Sequence, residues 1–286
     1  SDFAFDYNFL REQSSREEPV VSADEEDMLY IMYTSGTTGL PKGVVHTHNS
    51  AMWACITWSA TGDVQLYDRY LLILPLYHVG ALTPVTANVY LGVTNVVQRT
   101  FDAAEAWHLI EAERIDTSLA VPAMLNFMKQ VPEANQYKHE RLRWIMSGAA
   151  PVPVSLIKAY ADLDIPINEA YGLTECCGPA CLLTGMDVAG HPGSCGKAFF
   201  HTDIRVVNED GTDVEPGKPG EVIVRGRHVM KRYWNNPKAT KESLRDGWLF
   251  TGDVATVDED GFLYIQDRIK DMIISGGENI YPAEVE

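Results

Sequence analysis

Two periods of apolar residues alternate along the first two thirds of this chain. Short apolar runs at 29–32 (LYIM) and 70–76 (YLLILPL) have the length and bounds of buried strands. Between and after them lie stretches of helical spacing. Residues 101–115 place Ala103, Ala106, Trp107, Ile110 and Ala112 on one face of a helix. TSLAVP (117–122), a helical AMLNFMKQV (123–131), LRWIMSG (142–148) and a helix after Pro153 continue the alternation. Such alternation over 28–196 predicts a layered α/β structure with a largely parallel sheet. Beyond Gly196 the runs shorten. DIRVV (203–207), EVIVRG (221–226) and FLYIQD (262–267), with EDGT and DEDG as turns, predict a smaller β-rich subdomain over 197–267. Residues 1–27 are polar and acidic, a surface approach to the first strand, and 268–286 form a last short segment.

Composition adds exclusions. The 286 residues are 45% hydrophobic and 22% charged, ordinary globular values. Forty acidic residues against 23 basic ones give a net charge of −17, which argues against nucleic acid and against anionic membranes as partners. No apolar run approaches the roughly 20 residues of a transmembrane span, and 1–15 lack the pattern of a signal peptide. Five cysteines (55, 176, 177, 181 and 195) form an odd set with no zinc spacing, so a reduced, cytoplasmic setting is expected. The group at 176, 177 and 181 reads as small filler beside a site, with a redox-sensitive cluster as the alternative.

The chemistry concentrates at 33–43, YTSGTTGLPKG. Glycines let backbone N–H groups converge on an anion. Thr34, Ser35, Thr37 and Thr38 add hydroxyl donors around Gly36 and Gly39, and Lys42 supplies a cation on a long stem. The G-K-[ST] ending of a P-loop is absent, which disfavours a GTPase-like switch; a polar surface turn is the bland alternative. YTSGTTGLPKG resembles the phosphate loop of the adenylate-forming (AMP-binding) superfamily, which includes acyl-CoA synthetases, luciferases and peptide-synthetase adenylation domains.

Further segments extend the resemblance. In LPLYHVGAL (74–82), Tyr77 and His78 are similar to the aromatic–histidine pair that lines the carboxylate pocket of acyl-CoA synthetases; a packed structural histidine is the other reading of His78. No acidic residue is present there to hold an amino acid's ammonium, which favours a plain carboxylic acid. SGAAP (147–151) and NEAYGLTE (168–175) resemble the adenine- and acyl-binding elements, implying roles for Ser147, Gly148, Ala149, Glu169, Tyr171, Gly172 and Thr174. Thr34 and Glu175 become candidate Mg2+ ligands. In GWLFTGD (247–253), Asp253 is placed after a turn, where an acceptor-only side chain can take both ribose hydroxyls. Residues 265–286 match the family's hinge segment: Arg268 on the ribose side, Lys270 at the hinge, Gly276 and Gly277 serving thioester formation.

The resemblance implies a layered adenylate-forming domain acting in an ATP-dependent acyl-CoA synthetase, with ATP, Mg2+ and coenzyme A, on a carboxylic acid. MIISGGENIYPAEVE and VPAMLNFMKQVPE favour a fatty acid. An aryl-CoA ligase of the coumarate type and a nucleotide-binding scaffold without turnover are the alternatives. Family members also carry a large upstream segment and a small C-terminal domain with an adenylation lysine, so the chain is expected to be a central part, inactive alone. Acyl chain length and oligomeric state, a homo-oligomer included, are open at this point.

Overall fold

The computed structural model describes residues 6–34, 41–132 and 134–268, and the strands at 273–275 and 278–280. Helix α1 (Tyr7–Gln13) is exposed and capped by Asp6, whose carboxylate accepts the Phe9 N–H. Strands β1 (Met28–Thr34) and β2 (Lys42–Thr47) pair antiparallel, Thr34 opposite Lys42 at the open end. The loop expected to cradle phosphate therefore joins the two arms of a hairpin. Helix α2 (His48–Thr61) starts on a reciprocal Thr47–Ser50 capping box. Then β3 (Arg69–Leu72), α3 (Val79–Leu91), β4 (Thr94–Val97), α4 (Ala103–Ala112), β5 (Thr117–Ala120), α5 (Pro122–Lys129), β6 (Trp144–Gly148), α6 (Val154–Ala161) and β7 (Ile167–Leu173) alternate as expected. A 3-10 turn at Thr174–Cys176 reverses the chain into β8 (Gly178–Leu183), followed by β9 (Lys197–Ala198). The remainder is β10 (Asp203–Val207), β11 (Gly220–Arg225), β12 (Arg232–Tyr233), α7 (Pro237–Ser243), β13 (Leu244–Arg245), β14 (Trp248–Val257), β15 (Leu263–Arg268), β16 (Ile273–Ser275) and β17 (Glu278–Ile280).

Seven strands form the main sheet in the order β4-β3-β5-β6-β7-β8-β9. The first five of that order run parallel; β8 and β9 are antiparallel. Both faces are covered, so neighbouring strand residues enter different cores. Leu71, Ile145 and Ile167 pack under α4, α5 and α6 against Trp107, Leu125 and Tyr160. Tyr70, Leu72 and Met146 pack under α2 and α3 against Trp58 and Ala87. A second, antiparallel sheet has the order β10-β11-β14-β13, with β15 on β14. Its core of Val222, Val224, Leu249 and Leu263 also takes in Val44, Cys176 and Tyr233, joining it to the hairpin and to the turn after β7.

Two strand expectations change. LYIM lies in a strand, but β1 is the edge of the three-stranded sheet β1-β2-β12; Met32 is buried while Leu29 is 42% exposed. In YLLILPL the ladder ends at Leu72, because the chain turns there toward the start of α3.

Candidate active site

The C-terminal ends of β6 and β7 bring Ser147 and Glu169 side by side as register partners. Ser147 is fully buried and Glu169 is 6% exposed. Ser147 Oγ and Glu169 Oε1 have no hydrogen-bond partner among the described residues. Burial pushes the Glu169 carboxyl up to about 7, against a backbone N–H from Val152 that pulls it down. Gly148 follows, where a Cβ would stand 2.4 Å from the Ala170 carbonyl oxygen. Ala149 then takes a left-handed φ of 67°, a conformation that costs an L-residue about 1 kcal/mol or more. Ligands of open α/β sheets gather at such strand ends.

One arm of the site hangs from β7 and β14. The Tyr171 hydroxyl donates to Asp253 Oδ2 at 2.6 Å, and Arg268 Nε lies 3.0 Å from Asp253 Oδ1. Asp253 is 5% exposed. Burial raises its pKa, Tyr171 and Arg268 lower it, and the charge of Glu175 raises it, for a net upward shift. Asp253 does not follow a turn, as the sequence pattern implied; it sits inside β14. Gly252 adopts φ 76° where the β11–β14 register shifts, so the turn-like Gly-Asp pair makes a bulge that re-aims the aspartate.

A second arm is built on the hairpin. Lys42 Nζ stands 4.5 Å from the ring centroid of Tyr233, and the Tyr233 hydroxyl donates to Glu175 Oε1 at 2.7 Å. The turn carrying Thr174 and Glu175 is fixed through its backbone as well. Met230 N–H donates to the Glu175 carbonyl at 2.7 Å, and His46 Nε2 lies 2.7 Å from the Thr174 carbonyl oxygen. A carbonyl accepts only, so Nε2 carries the His46 proton. His46 is fully buried, and burial pushes its pKa down to about 4, which keeps the ring neutral. The two arms sense each other: the Glu175 charge raises the Asp253 pKa, and the Arg268 charge acts on Tyr233.

The other sequence candidates fall variously. Thr34 Oγ1 reaches the Lys42 carbonyl at 3.5 Å. Gly172 lies where a Cβ would meet the Gly178 carbonyl oxygen at 1.9 Å, so the β7–β8 crossing requires glycine. His78 is not a packed structural histidine: it is the exposed N-cap residue of α3, its ring 4.7 Å from that of Tyr77. Ser35, Gly36, Thr37, Thr38, Gly39, Lys270, Gly276 and Gly277 lie outside the described residues. Cys176, Cys177 and Cys181 are buried with thiol pKa values raised by that burial, Cys177 to about 11, in keeping with fillers rather than reactive thiols. Tyr233 and His46 were not singled out from sequence. Tyr233 belongs to a two-residue strand paired with β2, a pairing with no local signature.

Among the described residues no three His, Cys, Asp or Glu side chains gather as a metal cage. Glu175 and Thr34 offer one carboxylate and one hydroxyl oxygen, donors of the hard-oxygen kind that Mg2+ takes. No helix among the described residues is long and apolar enough to cross a membrane.

A doubly covered, largely parallel sheet, with Tyr171 bonded to Asp253 at the end of β7 and Glu175, in the turn after it, bonded to the tyrosine that carries Lys42, defines the class. The AMP-binding enzyme family matches residues 2–234, and the chain belongs to that family. Among particular relatives, it is 48% identical over 273 residues to the long-chain-fatty-acid–CoA ligase FadD13 of Mycobacterium tuberculosis, covering 96% of this chain and 54% of the relative. It is 41% identical to a feruloyl-CoA synthase of an Amycolatopsis species, covering 94% of this chain and 55% of that one. It superposes on the O-succinylbenzoate coenzyme A synthetase (MenE) of Bacillus subtilis, solved in complex with ATP and magnesium ion, with a TM-score of 0.87 and 35% identity. That match covers 96% of this chain and 57% of the MenE chain. The chain thus spans about half the length of the curated relatives it matches.

Proposed function

We propose that this chain is the nucleotide- and acid-binding part of an ATP-dependent acid–thiol ligase. In the first half-reaction a carboxylate oxygen attacks the α-phosphorus of ATP and pyrophosphate leaves. In the second, a coenzyme A thiolate attacks the acyl carbon and AMP leaves. The observation that carries the reading is that Tyr171, Asp253 and Arg268 join at the end of β7, while Glu175, in the turn just after β7, is bonded to the Tyr233 that carries Lys42. Asp253 is the ribose acceptor. Each of its oxygens keeps acceptor capacity beyond the bonds to Tyr171 and Arg268, so hydroxyls can be added without displacing either. Lys42 and the loop 34–39 take the outer phosphates, and Glu175 with Thr34 would hold a Mg2+ whose charge offsets that of the phosphate oxygens. Gly148, Ala149 and Gly172 shape the adenine site beside Tyr171, the two glycines by allowing close approach of neighbouring backbone, with Ser147, Glu169 and Thr174 supplying polar groups. His78 lines the acid's entrance. Lys270 serves as hinge, and Gly276 and Gly277 serve the thioester step. None of these groups is a covalent nucleophile; they position reactants and neutralise charge.

Identity to FadD13 supports a fatty acid as the substrate, and identity to feruloyl-CoA synthase supports an aryl acid as the second reading. The acidic surface and the absence of paired cysteines among the described residues support a cytoplasmic setting. ATP–pyrophosphate exchange by the whole protein tests the proposal. Fatty or aryl acids should drive exchange and α-amino acids should not, because residues 74–82 offer no carboxylate for an ammonium. Exchange driven by a proteinogenic amino acid would overturn the reading.

A further inference from the structure

Tyr233 is 3% exposed and touches two groups of opposite charge at once. Its ring face carries the Lys42 ammonium, and its hydroxyl holds one oxygen of the Glu175 carboxylate. The backbone fixes it tightly. Tyr233 pairs with Val44 across β12–β2, its N–H donates to Thr240 Oγ1 at 3.0 Å, and the next N–H, of Trp234, donates to the Gly43 carbonyl at 2.6 Å. Tyr233 is therefore locked to the same strand that presents Lys42. Among the described residues no salt bridge joins Lys42 to Glu175, and only Oε1 of the Glu175 carboxylate is hydrogen-bonded. The ammonium and the carboxylate thus contact the same side chain, one at its ring and the other at its hydroxyl, without pairing with each other.

We propose that Tyr233 is a positioning residue that keeps Lys42 and Glu175 apart, so that the lysine stays available to an outer phosphate and the carboxylate to the magnesium of MgATP. The inference rests on the proposed roles of Lys42 and Glu175 and adds to them a residue those roles depend on. Cation–π contact holds the lysine without neutralising it. A hydrogen bond to Oε1 fixes the carboxylate's orientation while leaving Oε2 open. Without the hydroxyl, Glu175 is free to swing onto Lys42, and both would be withdrawn from the nucleotide's triphosphate. The ribose arm of Tyr171, Asp253 and Arg268 makes no hydrogen bond to Tyr233 and keeps its own contacts, coupled to this arm through charge alone.

Calorimetric titration of the whole protein with AMP, and with ATP across a series of Mg2+ concentrations, tests this in Tyr233→Phe and Tyr233→Leu. The phenylalanine keeps the ring under Lys42 and removes the donor. It should raise the Mg2+ concentration needed for half-maximal ATP binding by about tenfold, the scale of one lost charge-assisted hydrogen bond. AMP affinity should stay as in the unaltered protein. The leucine removes ring and donor, and should lower ATP affinity even at saturating Mg2+, again sparing AMP. A phenylalanine variant with unaltered Mg2+ dependence would overturn the proposal. So would a parallel loss of AMP and ATP binding in both variants, which marks a packing role. If the unaltered protein itself binds ATP without regard to Mg2+, the assignment of Glu175 fails and this inference falls with it; dependence in the unaltered protein but no change in the variants sinks the inference alone.

Discussion

On the main-sheet side of the site, Ser147 and Glu169 are buried and each leaves an oxygen unpartnered. On the side built from the hairpin and the second sheet, Asp253 has both oxygens held, by Tyr171 and Arg268, and Glu175 has one held by Tyr233. Both are polar groups in places where polar groups are costly, yet the costs fall differently. An unpartnered buried carboxyl raises its pKa and destabilises the fold as it ionises. A bonded one is already oriented and loses little when a ligand arrives. The first side is a floor whose unmet hydrogen bonds a ligand can satisfy; the second is a clamp set in advance.

The largest expected effect that separates them is on stability. Glu169 holds its proton to about pH 7 when folded, against 4.5 ordinarily. Between those values the folded state binds more protons than the unfolded one, so stability falls as pH rises through that window, by roughly 3 kcal/mol in all. Glu169→Gln should match the unaltered protein near pH 4 and exceed it at pH 8, by up to that amount, in denaturant unfolding. A variant that is less stable than the unaltered protein at pH 8 would show that Glu169 is satisfied after all, and the contrast would collapse.

A smaller effect is expected in affinity on the clamp side. Asp253→Ala removes the acceptor shared by Tyr171, Arg268 and the proposed ribose, and should weaken ATP and AMP alike, by roughly 1.5–3 kcal/mol, or about ten- to a hundredfold in Kd. Unequal losses for the two nucleotides, measured by calorimetry, would move Asp253 away from the ribose.

The two sides also differ in how much of them the sequence discloses. The main sheet and α4, α5 and α6 follow from local signals: apolar runs of strand length, and a 3.6-residue stripe at Ala106, Trp107 and Ile110 that ends up buried. YGLTE and SGAAP fall at strand ends for the same reason. The clamp is assembled from pairings distant in sequence, and these leave little trace. Tyr233 reaches Glu175 because a two-residue strand joins β2. Gly252 and Asp253 look like a turn because a bulge uses the same residue types as one. His46 reads as one more polar residue of a strand until β2 is laid against the turn at Thr174. LYIM has the hydrophobicity of a buried strand, and its exposure follows from its place at a sheet edge, which composition does not encode.

The central proposal is that a nucleotide lies across both sides, its adenine over the Ser147–Glu169 floor and its ribose and outer phosphates along the clamp at Asp253 and Lys42. Calorimetry on Lys42→Ala with ATP and with AMP tests it most directly. The account predicts a marked loss of ATP affinity with AMP affinity unaltered, since AMP lacks the phosphates that Lys42 would meet. Equal losses for both nucleotides would contradict it.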